Sequence, residues 1–144
     1  MERPVTHSLV RALREVPGFE SVDERMLLAL IGESANLYWP EGRIVFERGG
    51  PSDGLYIVIS GRVHVLGEDG STLAALGPGD FFGELSLLLG VGHRSDVRVD
   101  EAAELMVIPK EKFDELMASH PEVNRHIRAK AEERAATNTA PAAS

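Results

Sequence analysis

From residue 37 to residue 108, short β-prone runs are cut at close intervals by turn-forming residues. The runs are 37–39, 43–46, 55–60, 62–66, 72–76, 81–82, 96–99 and 104–108. The breaks are Pro40-Glu41-Gly42, the glycine-rich 49–54, Ser60-Gly61, the segment 67–70 and Pro78-Gly79. Eight short strands separated this way predict a mainly β chain, an eight-stranded double-sheet jelly-roll β-barrel. In the run 55–60, Leu55, Ile57 and Ile59 share one face and Tyr56 and Val58 the other. Both faces are apolar, so this strand is expected to be covered on both sides. Ser60-Gly61 reads as a two-residue hairpin turn into 62–66. Pro78-Gly79 suits a type II turn, with the glycine supplying the positive φ.

Helical patterns flank this region. Near the N-terminus Val5, Leu9, Leu13 and Val16 keep to one face, and Pro17-Gly18 stops the helix. Ser21 with Glu24 reads as a capping box for a second helix to about residue 34, with Met26, Leu27, Leu30 and Ile31 as its stripe. After Pro109 a helix over 110–120 buries Phe113, Leu116 and Met117. Pro121 opens a last one, with Val123, Ile127, Ala131 and Ala135 at i,i+4 spacing. The expected organisation is an N-terminal helical segment 1–35, a β-barrel 36–109, two C-terminal helices over 110–134 and a disordered Ala-rich tail 135–144.

Composition narrows the function. The 144 residues suffice for one domain with its own core. The absence of cysteine removes disulfides and thiolate chemistry, and fits a reducing compartment. No apolar run is long enough to span a membrane, and the N-terminus lacks a signal-peptide core, so a cytoplasmic location is expected. Fifteen Lys and Arg against 23 Asp and Glu give a net charge of −8, which opposes direct nucleic-acid binding.

The chemistry concentrates in 77–95, Gly-Pro-Gly-Asp-Phe-Phe-Gly-Glu-Leu-Ser-Leu-Leu-Leu-Gly-Val-Gly-His-Arg-Ser. Gly83 allows a ligand to approach the backbone. Glu84 can accept hydrogen bonds from sugar hydroxyls. The N–H groups of the short turn after Leu85 favour an anion, and Arg94 can grip phosphate oxygens with two parallel charge-assisted bonds. That set suits a small sugar-phosphate.

Phe82-Gly83-Glu84-Leu85-Ser86-Leu87 followed by Arg94-Ser95 resembles the phosphate-binding cassette of cyclic nucleotide-binding domains. Such domains serve catabolite activators, cyclic AMP-dependent kinase regulatory subunits and cyclic nucleotide-gated channels. Pro40-Glu41-Gly42, the stretch 49–58 and Ser60-Gly61-Arg62-Val63 fit the same frame, and the resemblance covers about residues 8–134. It implies a cassette at 81–96 in which Gly83, Glu84, Leu85, Ser86, Arg94 and Ser95 hold a cyclic purine nucleotide, cyclic AMP before cyclic GMP, with no metal. It also implies helices that move on binding. Arg125, His126 or Arg128 would stack on the base as a lid, and Val63, Val65 and Leu73 would supply apolar walls.

One departure leaves two registers open. Arg94 lies ten residues after Glu84, as in catabolite activators, whereas the kinase and channel branch has its arginine nine residues on, where His93 stands. Either the loop holds an extra residue and Arg94 reaches the phosphate, or the count is ungapped and His93 takes that place. The first is favoured, because loops absorb insertions cheaply and an arginine suits a phosphodiester better than a neutral imidazole. Asp96 would weaken anion binding if it turned inward.

The leading expectation is a non-enzymatic regulatory module that binds a cyclic nucleotide and acts on an effector protein or a second copy. A ligand-free interaction or dimerisation domain of the same fold is the alternative. A cupin-type metalloenzyme is remote, because the five histidines are scattered and no His-x-His occurs. No helix-turn-helix pattern follows the last helix; if the chain is complete, any effect on DNA would pass through a partner, and if it is a fragment the effector would be a further domain.

Overall fold

The computed structural model describes the backbone of residues 3–143 and the side chains of residues 8–136. Helices α1 (Arg3–Arg14) and α2 (Glu24–Glu33) come first. Six strands follow: β1 (Ala35–Trp39), β2 (Ile44–Phe46), β3 (Gly54–Leu66), β4 (Thr72–Leu76), β5 (Phe81–Phe82) and β6 (Asp96–Pro109). Helix α3 (Glu84–Leu89) sits between β5 and β6, and α4 (Lys110–Ser119) and α5 (Pro121–Ala143) close the chain. The architecture is a mainly antiparallel sheet with flanking helices. The sheet runs β1-β6-β3-β4, with β2 added on β6 and β5 on β3, and the path does not close.

Six strands replace the eight expected because two pairs of runs are each continuous. Runs 55–60 and 62–66 form the single strand β3, and 96–99 and 104–108 form β6. Their ladder extends from Gly54↔Pro109 to Leu66↔Asp96, with register slips between Val58 and Val63. Ser60-Gly61 is therefore a bulge inside a strand and not a hairpin turn. Gly61 has φ +85°, and a Cβ there would lie 2.2 Å from the Ala102 carbonyl oxygen. Bulges bend a strand and increase its twist, which lets one long pair of strands carry the whole roll.

Alternation along β3 separates two cores. Leu55 and Ile57 face an apolar cluster built with Leu9, Leu13, Phe19, Leu27, Leu30, Phe113, Leu116 and Ile127 from the helical side. Tyr56 and Val58 face the roll interior with Val63, Phe82, Val97, Val99 and Leu105. Neighbours Phe81 and Phe82 divide in the same way, one into each core. Paired to Ile57 and Tyr56, they anchor β5 on both sides. The preceding turn forms as expected, with Asp80 N–H donating to Gly77 O at 3.0 Å.

Two helix details differ from the sequence reading. The cap of α2 is Asp23, whose carboxylate accepts from Met26 N–H, so the Ser21 capping box is not used. Both are good N-cap residues, and the packing of Phe19 and Val22 decides between them. The backbone of α5 runs on to Ala143, past residue 134, where a disordered tail is expected. Alanine, the strongest helix former, fills five positions from 135 to 143. Leu9, Leu13 and Val16 are buried, and Val5 lies outside the described side chains.

Gly61→Ala combines an unfavourable φ with a backbone collision. It should cost roughly 3 kcal/mol or more in urea unfolding. Gly70→Ala, with φ +85° but open space around the added carbon, should cost only about 1–2 kcal/mol. Equal losses at the two sites would refute the bulge as a steric requirement.

Candidate functional site

Helix α3 is bracketed by two left-handed glycines, Gly83 and Gly90. Gly83 turns the chain out of β5 while packed close to Gly54 O and the Tyr56 ring, 3.2 and 3.4 Å from where a Cβ would be. A side chain there would be both strained and crowded. The turn points the first residues of α3 along the wall of a cavity of about 370 Å³. Val65, Leu73, Ala74 and Val97 give it an apolar side. Glu84, Ser86, Arg94 and Ser95 give it a polar side, and Lys130, Glu133 and Arg134 of α5 cover it.

Glu84 is 1% exposed. Its Oε1 accepts from Arg134 Nη1 at 2.9 Å, and the same nitrogen donates to Phe81 O at 2.6 Å. The guanidinium lies 5.2 Å from the centroid of the Phe81 ring. Burial pushes the Glu84 carboxyl above the ordinary carboxylate range, and the charge of Arg134 is the main effect opposing it. A buried carboxylate without a partner costs several kcal/mol, so α5 is held over the cavity by an electrostatic need as well as by packing.

Behind the polar wall, His93 lies flat on Phe46, with ring centroids 3.4 Å apart and planes 4° from parallel. Its Nδ1 is 3.2 Å from Ser86 Oγ. Its backbone is tied to the β2–β3 segment, His93 N–H donating to Gly50 O and Gly49 N–H to His93 O. Burial lowers its proton affinity, while the Asp53 charge and the Pro51 carbonyl act the other way. Nearby, Tyr56 donates to Asp53 at 3.3 Å, and burial followed by that carboxylate pushes its phenol up to about 12.

The structure brings most of the expected residues together. Gly83, Glu84, Leu85, Ser86, His93, Arg94 and Ser95 all line the cavity, as do Val65 and Leu73. Arg94 is exposed and His93 buried. Val97 pairs with Val65 and Val99 with Val63, so β6 starts at Asp96 with its valines inward. Asp96 does not line the cavity, and its Oδ1 accepts from Arg48 N–H at 2.7 Å.

Four expected residues lie elsewhere. Val63 is fully buried in the roll interior, one step along its strand face from Val65. Arg125 pairs with Glu122 at 3.0 Å, and Arg128 Nε donates to Asn124 at 2.8 Å. His126 packs against Gly18. None of these lines the cavity, whose α5 side is formed by Lys130, Glu133 and Arg134. A signal for the two cations was present in the sequence. Lys130 and Arg134 follow buried Ile127 and Ala131 by three residues each, which places them beside the apolar stripe. Arg125 and Arg128 follow Val123 and Ile127 by two residues and one, which turns them away.

Known proteins resemble this arrangement. Residues 36–120 match the family model described as the cyclic nucleotide-binding domain. A cyclic AMP receptor protein of Thermus thermophilus is 39% identical over 111 residues, 74% of this chain and 50% of that protein. An NTE family protein of Mycobacterium tuberculosis is 29% identical over 110 residues, 76% of this chain and 19% of that protein. The regulatory domain of Toxoplasma gondii PKA, solved with cAMP, superposes with a TM-score of 0.72 at 28% identity, covering 79% of this chain and 45% of that one. The chain spans half or less of the length of these relatives.

Arg134→Ala should lower stability at pH 7.5 by about 1–3 kcal/mol, because it strands the Glu84 carboxylate. Its pH dependence has a defined sign. A carboxyl whose folded pKa is raised is protonated in both states at low pH. As pH rises past the unfolded value the unfolded chain ionises first, and stability is lost until the folded group ionises too. Without Arg134 that loss should deepen, and adding Glu84→Gln should abolish it. Urea midpoints from pH 4 to pH 8 check this, and parallel curves for wild type and Arg134→Ala would contradict it.

Proposed function

The chain belongs to the cyclic nucleotide-binding domain family, and on that premise we propose that its cavity takes a cyclic purine nucleotide and signals through α5. One observation carries the reading. A buried carboxylate, an exposed arginine and two serine hydroxyls share one cavity with an apolar wall from the β3–β4 hairpin. Its volume of about 370 Å³ lies within the range of small-molecule sites.

The roles follow from donor and acceptor chemistry. Glu84 accepts from the ribose hydroxyl. Arg94 faces the cyclic phosphodiester, assisted by the α3 N–H groups and by Ser86 and Ser95. Val65, Leu73 and Ala74 take the purine. Lys130 and Arg134 replace Arg125, His126 and Arg128 as the lid cations. Cyclic AMP is preferred over cyclic GMP on the strength of the Thermus receptor and the cAMP-bound Toxoplasma domain. The ribose hydroxyl competes with Arg134 for Glu84, so occupancy shifts the population of α5 positions. An effector protein or a second copy would read that shift, and a cytoplasmic setting belongs to the same proposal. No helix is long and apolar enough to cross a membrane among the described residues.

A second reading has one observation in its favour. Arg134 supplies Glu84 with a partner from within the chain, as in a domain that has kept the fold for protein interaction alone. The cupin-type alternative has no such support, since no cluster of three or more metal-ligating side chains occurs among the described residues.

Calorimetric titration of nucleotide-stripped protein with cyclic AMP, cyclic GMP and 5′-AMP separates the readings. The expected result is micromolar or tighter binding of cyclic AMP, weaker cyclic GMP and no 5′-AMP binding. Arg94→Ala should weaken cyclic AMP by at least about tenfold. A loss under about twofold would remove Arg94 from the phosphate site. Absence of heat and of any melting shift with both cyclic nucleotides would establish the interaction domain instead.

A further inference from the structure

His93 is the one buried histidine of the cavity wall. Ser86 Oγ lies 3.1 Å from Gly83 O and 3.2 Å from His93 Nδ1. A hydroxyl has one proton, and a carbonyl oxygen can only accept. With that proton on Gly83 O, the ring donates from Nδ1 to Ser86 and Nε2 is bare; with it on Nδ1 instead, the ring's own proton sits on Nε2. His93 Nε2 is buried and has no hydrogen-bond partner. In either arrangement the imidazole, wedged between Phe46 and α3, can take a second proton, donating from Nδ1 to Ser86 while Ser86 donates to Gly83 O, next to the arginine expected to face an anion.

We propose that His93 is a positioning residue that couples occupancy of the cavity to proton uptake, so that a cyclic nucleotide binds more tightly as pH falls. The inference rests on the cyclic nucleotide reading of the site. The groups around the ring define its sign. The β2–β3 segment contributes the Asp53 carboxylate, held by neutral Tyr56 of β3. From α3 come neutral Ser86 and, in the first turn, Glu84 with its Arg134 partner. The following residues contribute Arg94, a cation, and Asp96, turned to the Arg48 amide. Lys130 of α5 lines the same cavity.

Burial disfavours the charged form of the ring. A phosphodiester beside Ser86 and Arg94 adds a negative charge, which favours the protonated ring. Linkage is reciprocal, so protonation strengthens nucleotide binding by the same factor. Affinity should rise as pH falls through the bound-state pKa and level off below the free-state one. Glu84 has the opposite tendency, since its protonation weakens its hold on a hydroxyl donor. The quantity that reports His93 is therefore the difference between wild type and a variant that keeps Glu84.

The test is calorimetric titration with cyclic AMP from pH 5.5 to 7.5, in buffers of different ionisation enthalpy, for wild type and His93→Gln. Glutamine can still donate to Ser86 but cannot titrate. Relative to His93→Gln, wild-type affinity should gain about threefold to tenfold between pH 7.5 and 5.5, accompanied by proton uptake on binding that the variant lacks. Should the variant fail to fold, the imidazole resonances of wild type are titrated with and without cyclic AMP, and one of the five histidines should gain proton affinity on binding. Binding with identical proton uptake in both proteins, or five unshifted histidines, overturns this inference alone. Absence of binding at every pH overturns the nucleotide reading and this inference with it.

Discussion

The antiparallel ladder of β3 against β6 carries the molecule. It joins thirteen residues of one strand to fourteen of the other, and every other strand pairs with one of these two. Because β3 is apolar on both faces, it can bury one face under the helices and the other inside the roll. Gly61 allows this over a single strand by giving the ladder a place to bend where any side chain would strike Ala102. The functional apparatus is then attached at one point, where Phe81 and Phe82 plug into opposite sides of β3. The turn at Gly83 and the carboxylate after it inherit that rigidity.

Against this fixed wall the helical side is held more conditionally. The buried part of α5 is a narrow stripe of Val123, Ile127 and Ala131, the last of them the smallest. What stiffens the stretch beyond it is Arg134, bridging the Phe81 carbonyl of β5 and the Glu84 carboxylate that opens α3. Under the proposed function a sugar hydroxyl and this guanidinium would share one acceptor, and ligand recognition and helix placement would meet in one pair of oxygen atoms.

Much of this was legible from sequence, and the reasons for the rest are specific. Turn residues and alternation located the strands, and the ordered motif from Gly77 to Ser95 located the cassette. Ser60-Gly61 was misread because a tight hairpin turn and a bulge call for the same residues. Only the distant partner strand tells them apart. Helix periodicity placed the buried stripe of α5 correctly, yet periodicity fixes the face of a helix and not how far along its axis the cavity lies. The α5 cations that line the cavity, Lys130 and Arg134, accordingly lie one to two turns beyond Arg125 and Arg128. His93 and Arg94 compete for one place in any linear count. Their fates are divided by the Phe46 ring, which lies far away in the chain and stacks on only one of them.

The location of Arg134 well along its helix from Pro121 has a mechanical consequence. From Pro121 to Arg134 an α-helix extends about 20 Å. A tilt of roughly ten degrees about its root would carry the guanidinium through about 3–4 Å, comparable to a whole hydrogen-bond length. Motion too small to disturb the packing around Val123 would still make or break the contact at the tip. Under the proposed function the helix would act as a lever with a short, well-packed fulcrum and a long arm, turning the exchange of one acceptor's partner into a displacement that a neighbouring molecule could feel.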